Sequence, residues 1–290
     1  MRDQLIRATA MEGKVRAFAV RATGIVDEIS KRHGMTPTAT AAIGRTVAAG
    51  LIMGAMLKGD EMLTILVQGG GPIGQVVVDA NANGDVRGYV QNPQVDLPLN
   101  EIGKLDVSGA IGVDGFLSII KDLGLKEPYR GNIPLVSGEL AEDFTYYFAK
   151  SEQTPSAVAL GVLVGVDYTV TAAGGFVIQL LPGLTDEDIS LIELQLSRIE
   201  PITTLLNQGM ALDEILHRIL PGVQVLGEVD IQFRCKCSRE RVEQTIISLG
   251  REEIELMLQE DGQAEVLCHY CNESYKFDQE QLTAIINELR

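Results

Sequence analysis

Cysteine is absent from the first 234 residues of this 290-residue chain; the four it has are Cys235, Cys237, Cys268 and Cys271. A secreted disulfide scaffold spreads its bridges along the whole chain, so that class is excluded. Long apolar runs are missing too. The best of them, 157–166 and 47–57, reach only about half the length that spans a bilayer. The N-terminal segment carries charge every few residues and has no apolar h-region, so a soluble, cytoplasmic protein is expected. Basic charge is scarce: 24 Lys and Arg against 40 Asp and Glu leave a net charge of −16. Such a field repels phosphate backbones, and the expectation is no nucleic-acid partner and no membrane partner. Only three histidines occur, His33, His217 and His269, with no Gly-x-Ser-x-Gly turn, so a hydrolase triad has weak support.

What remains has globular proportions. Hydrophobic residues make up 46% and charged ones 22%, with 30 Gly and 10 Pro, which excludes a disordered or collagen-like chain. The length suggests about two domains and suffices for a sizeable core without disulfides or metals.

Segments 5–10 and 15–21 read as strands across a turn at Glu12-Gly13, and a short helix from Gly24 stops at Gly34. Thr36-Pro37 opens a long helix to about Leu57, whose Ala39, Ala42, Gly44, Ala48, Gly50 and Gly54 let another element pack close. Residues 62–68, 75–80 and 85–90 read as strands, with Asn83-Gly84 a hairpin signal. Further strands are expected at 116–121, 132–136, 157–166 and 175–181, and a helix at 139–150. Hairpin-linked strands with helices grouped between them predict an α+β fold with a mostly antiparallel sheet over 1–182. Residues 183–228 read as a helical linker. Thr185 and Asp188 make a capping pair, Ile189, Ile192, Leu196 and Ile199 follow at helical spacing, and Pro201 breaks the helix. These short helices are too small for a core of their own and must lean on a neighbour. Residues 229–290 form a small C-terminal unit, with helices capped by Ser238 and by the Asp278/Gln281 pair.

The cysteines fall as Cys-x-Cys and Cys-x-x-Cys. Alternation of Val229, Ile231, Phe233, Cys235 and Cys237 puts two thiols on one face of an extended segment, and a tight turn presents the other two. A closed four-sulfur shell is what structural zinc prefers, so one zinc ion per chain on Cys235, Cys237, Cys268 and Cys271 is the leading reading. Two disulfides or an iron–sulfur cluster compete with it. Zinc could simply staple a small domain. The flanking Arg234, Lys236, Arg239 and Arg241 suit either reactive thiolates or charge balance for a dianionic centre. His269 lies inside the second turn but is not needed once four sulfurs fill the shell. Two decoys are set aside. Asp79-x-Asn81-x-Asn83-Gly84 starts like a calcium loop, yet Val90 stands where the bidentate Glu belongs. Gly69-Gly70-Gly71-Pro72-Ile73-Gly74 resembles a phosphate cradle but leads into a strand rather than a helix. The aromatic run Phe144, Tyr146, Tyr147 and Phe148 reads as core. On residues alone, a redox sensor, an enzyme with structural zinc and a protein-interaction module all stay open.

FRCKCSRERV and CHYCN closely resemble the redox-regulated thirty-three-kilodalton heat-shock chaperone family, as do DANANGDVRGYV, KDLGLKEPYRGNIPLVSGELAEDFTYYFAKSEQTPSAVALGVLV and AAGGFVIQLLPG. The resemblance covers nearly the whole chain. It implies a non-enzymatic, ATP-independent stress-response holdase, inactive when reduced and zinc-bound. Oxidation would form the disulfides Cys235–Cys237 and Cys268–Cys271, release zinc, unfold the C-terminal domain and loosen the linker. The activated form would be a homodimer that binds unfolding client proteins. Apolar linker positions Ile192, Leu196, Ile199, Leu205 and Leu206 are the expected client-binding surface. The alternative is an enzyme of unknown substrate on the N-terminal domain, carrying a purely structural zinc module.

Overall fold

The computed structural model describes residues 2–289, and the chain divides into two compact units, one through Arg234 and one over Cys235–Arg290. In the first unit, β1 (Gln4–Ala10) and β2 (Val15–Arg21) pair antiparallel across a turn where Gly13 takes φ 87°. Next come α1 (Thr23–His33), closed by left-handed Gly34, and α2 (Pro37–Gly54), capped by the Thr36 hydroxyl on the Ala39 N–H. The meander β3 (Met62–Gln68), β4 (Gln75–Asn81), β5 (Asp85–Val90) leads to α3 (Val107–Ile111) and the hairpin β6 (Phe116–Asp122), β7 (Tyr129–Pro134). Then follow α4 (Ala141–Lys150), β8 (Ser156–Val164) and β9 (Val170–Leu180). Three short helices, α5 (Asp186–Arg198), α6 (Ile202–Asn207) and α7 (Leu212–Ile219), precede β10 (Gln224–Val229) and β11 (Gln232–Phe233).

These strands make two sheets, ordered β10-β1-β2-β9-β8 and β11-β5-β4-β3-β6-β7, antiparallel except where β11 joins β5. The α+β class read from the hairpins therefore holds. Helix α2 packs against β8 and β9 of one sheet and β3, β4 and β5 of the other. Its small residues make that possible: a Cβ on Gly44 would lie 2.7 Å from Val162, and one on Gly54 would lie 2.7 Å from the Asn81 carbonyl. Phe144, Tyr147 and Phe148 sit in the same core, as expected of that aromatic run.

Both decoys are turns. The Asn81 side chain accepts the N–H groups of Asn83 and Asp85, while Asp79 is occupied by Thr64 and Arg87. Gly69 and Gly71 lie flat against the backbone of 110–112, where a Cβ on either would come within 2.3 Å of a carbonyl oxygen.

The second unit contains α8 (Arg239–Leu249), α9 (Arg251–Glu260), the hairpin β12 (Ala264–Leu267), β13 (Ser274–Phe277) and α10 (Gln279–Glu288). Its core is thin: Val242, Ile246, Ile254, Phe277, Leu282, Ile285 and Ile286. The caps are those read from sequence. Ser238 accepts the Arg241 N–H, and Asp278 and Gln281 form a reciprocal box.

Candidate metal centre

The two cysteine pairs reach the centre by different routes. Cys235 and Cys237 lie on an irregular stretch between β11 and the Ser238 cap of α8. Cys268 and Cys271 sit in the tight turn of the β12–β13 hairpin. That turn is fixed by the Asn272 N–H on the Cys268 carbonyl, the Cys268 N–H on the Glu273 carbonyl, and Asn272 at φ 57°. All four Sγ atoms lie within 4.8 Å of one another. The Cys235 and Cys268 sulfurs are 3.6 Å apart, and those of Cys237 and Cys271 are 3.3 Å apart. A tetrahedral shell with zinc–sulfur bonds of about 2.3 Å has edges of about 3.8 Å, so the donor set fits one such ion. Cys271 is buried and the other three are half-buried.

The sulfurs are not equivalent. Burial opposes ionisation of Cys235, but the Cys237 backbone N–H and the neighbouring thiols outweigh it and bring Cys235 down to about 7. Burial pushes the Cys271 and Cys237 thiols up. The Tyr275 hydroxyl donates to the Cys237 Sγ at 3.2 Å, which raises the Tyr275 pKa. Two of the flanking cations have structural tasks. Arg239 bonds the Lys276 carbonyl and the Gln281 amide oxygen and stacks on Phe277 at 4.4 Å, and Arg241 bonds the Lys236 carbonyl. Arg234, in the first unit, faces Asp85 at 3.7 Å.

The apolar linker positions are brought together elsewhere. Ile192, Leu205 and Leu206 are buried, with Leu196 and Ile199 packed beside them, in one cluster with Ile6, Ala8, Ala17, Ala19, Phe176 and Ile178 of the first sheet. Two features of that seat escaped sequence reasoning. Arg21 on β2, 5% exposed, donates to the Met210 carbonyl at 2.5 Å and so ties the α6–α7 turn to the sheet. Gly161 on β8 leaves a notch filled by Thr203 of α6. A glycine inside a strand is a sequence signal for such a close approach. Among the histidines, His217 is exposed on α7 and bonds the Asp213 carbonyl.

Among the described residues, no helix is long and apolar enough to cross a membrane. Comparison with known proteins agrees with the motif-level resemblance. The family model described as "Hsp33 protein" matches residues 3–278. The "33 kDa chaperonin" proteins of Bacillus cereus (strain AH187) and Bacillus anthracis (strain A0248) are each 54% identical to the chain, covering 100% of both partners. Among solved structures, the 33 kDa chaperonin (heat shock protein 33 homolog) of Thermotoga maritima superposes with a TM-score of 0.92 at 39% identity, over 99% of each chain.

Proposed function

The chain belongs to the Hsp33 family of chaperones, and from that premise we propose that it is an ATP-independent holdase switched on by oxidation of its four cysteines. The observation that carries this reading is the convergence of Cys235, Cys237, Cys268 and Cys271, the only thiols in the chain, on the least self-sufficient unit of the fold.

In the reduced state the four thiolates would hold one zinc ion. When bound, zinc supplies a closed, redox-inert cross-link between the Cys-x-Cys segment and the hairpin turn. The chain's own chemistry then sets the response. Its thiolate sulfurs are the nucleophiles toward an oxidant such as hypochlorous acid, each reacting through a lone pair on sulfur. Two thiolate sulfurs joining in a disulfide give up an electron pair; hypochlorous acid accepts it and ends as chloride and hydroxide. By family resemblance the bridges are Cys235–Cys237 and Cys268–Cys271. Each lies within one limb of the centre, so neither ties the two limbs together.

Loss of order then has a contiguous route through the chain. Phe233 and Gln232 are the whole of β11. Strand β10 is an edge strand with mostly exposed residues, and the Arg2–Asp230 pair beside it is 76% and 86% exposed, which contributes little. Past β10 the linker helices rest on the first sheet without a core of their own. Their release uncovers Ile192, Leu196, Ile199, Leu205 and Leu206 together with the sheet face beneath, an adhesive surface for unfolding proteins. The net charge of −16 keeps such complexes soluble.

Zinc content and suppression of client aggregation, each measured before and after hypochlorite treatment, test the reading. One zinc per chain with no suppression beforehand, then no zinc with strong suppression afterwards, is expected. Suppression that is the same in both states would refute redox control. Turnover of a small substrate that is indifferent to cysteine substitution would favour the enzyme alternative.

A further inference from the structure

The hydroxyl of Tyr275 points at the metal centre from the strand that follows it. Register along the β12–β13 hairpin pairs Tyr275 with Val266, two residues before Cys268, and the ring packs against the C-terminal core. The strand is held firmly: the Lys276 carbonyl takes a bond from Arg239, whose guanidinium lies on Phe277. The phenol is therefore delivered by rigid structure to the Cys237 Sγ at 3.2 Å. Cys237 belongs to the other limb of the centre, 38 residues away in sequence.

We propose that Tyr275 is a positioning residue that acts through Cys237, and that its O–H···S hydrogen bond both tightens metal binding and delays oxidation of this sulfur. The inference rests on the redox-switch reading above. A phenol is a good donor and a thiolate a diffuse acceptor, so the bond draws off lone-pair density from Cys237 and stabilises its charged form. Such outer donors orient metal ligands and tune their affinity. The same withdrawal weakens the sulfur as a nucleophile toward hypochlorite or an alkylating agent, because it is a lone pair on sulfur that forms the new bond. The bond also links the two limbs of the centre directly, so the hairpin and the Cys-x-Cys segment are held together by more than shared coordination. Closing the Cys235–Cys237 bridge removes the thiolate on which this bond depends.

Tyr275→Phe in the full-length chain keeps the ring and removes only the hydroxyl. Chelator competition is expected to show roughly tenfold weaker zinc binding, the lower end of what loss of an outer-shell partner costs. Isotope-coded alkylation followed by mass spectrometry is expected to show Cys237 gaining on Cys235 in rate. Unchanged affinity together with an unchanged order of labelling would overturn the proposal. Should the variant fail to fold, the wild-type chain decides: Cys237 is expected to be labelled more slowly than Cys235, and equal or faster labelling would overturn it. If wild-type protein neither binds zinc nor forms disulfides, the switch reading itself fails. If it does both and Tyr275→Phe behaves identically, only the role of Tyr275 falls.

Discussion

Cys271→Ser is expected to leave the C-terminal unit unfolded even under full reduction, and to give a chaperone that no longer needs an oxidant. The substituted residue is the one buried cysteine of the four, so a serine there neither completes a sulfur shell nor reaches water. A structural zinc in a small peptide contributes on the order of 10 kcal/mol or more, which is also folding free energy. Against that stands a core of seven buried apolar side chains, and a unit of this size is marginal without a staple. Far-UV circular dichroism and hydrogen exchange in reducing buffer should report loss of α8, α9 and α10, while both sheets of the first unit remain. Aggregation of a thermally unfolding client should be suppressed before any oxidant is added. If the variant stayed folded and inactive, the metal would not be what holds this unit shut.

The second large effect concerns the linker alone. Gly161→Val is expected to release α6 while leaving the zinc centre loaded. A Cβ at this position would lie 2.4 Å from Thr203 Cγ2, and its three nearest atoms all belong to α6. Thr203 is β-branched and stiff, so its side chain cannot swing away and the helix must move. The sheet has no such difficulty. Gly161 is not among the positive-φ glycines, β8 is an edge strand, and valine suits a strand better than glycine. Overpacking of this kind costs about 1–3 kcal/mol, equivalent to a rise of about fivefold to 140-fold in the open population at 1.4 kcal/mol per decade. Exchange should accelerate over 202–207, and aggregation should be suppressed in reduced protein that still holds one zinc per chain. Accelerated exchange without any gain in suppression would mean that undocking α6 is not sufficient for client binding.

Much of this was legible in the sequence, for local reasons. Asn83-Gly84, Thr36-Pro37, Gly34, Ser238 and the Thr185/Asp188 pair each fix a turn or cap within a few residues, and each stands where it was expected. The clustering of the four cysteines was legible because their spacing is a local signal repeated twice. The rest depends on long-range pairing. Segment 224–229 has no alternating burial, with Val225 and Leu226 exposed, yet it forms β10 because β1 offers it a free edge. Helix α3 spans only Val107–Ile111, too short to show a period. The irregular stretch carrying Cys235 and Cys237 is not the continuing strand that alternation suggested, since β11 ends at Phe233. No motif announces Arg21 or Tyr275, and Gly161 shows only as a glycine inside a strand. Each matters through a partner at least 38 residues away.

Hydrogen exchange resolved along the chain, on reduced zinc-loaded protein and on hypochlorite-treated protein, reads the order of unfolding segment by segment. Oxidation is expected to abolish protection over 235–289 and sharply lower it over 183–234, while β1, β2, β8, β9 and the β3–β7 sheet keep theirs, with client binding appearing in step. Retained protection over 183–289 in an oxidised, zinc-free protein that nonetheless suppresses aggregation would contradict it.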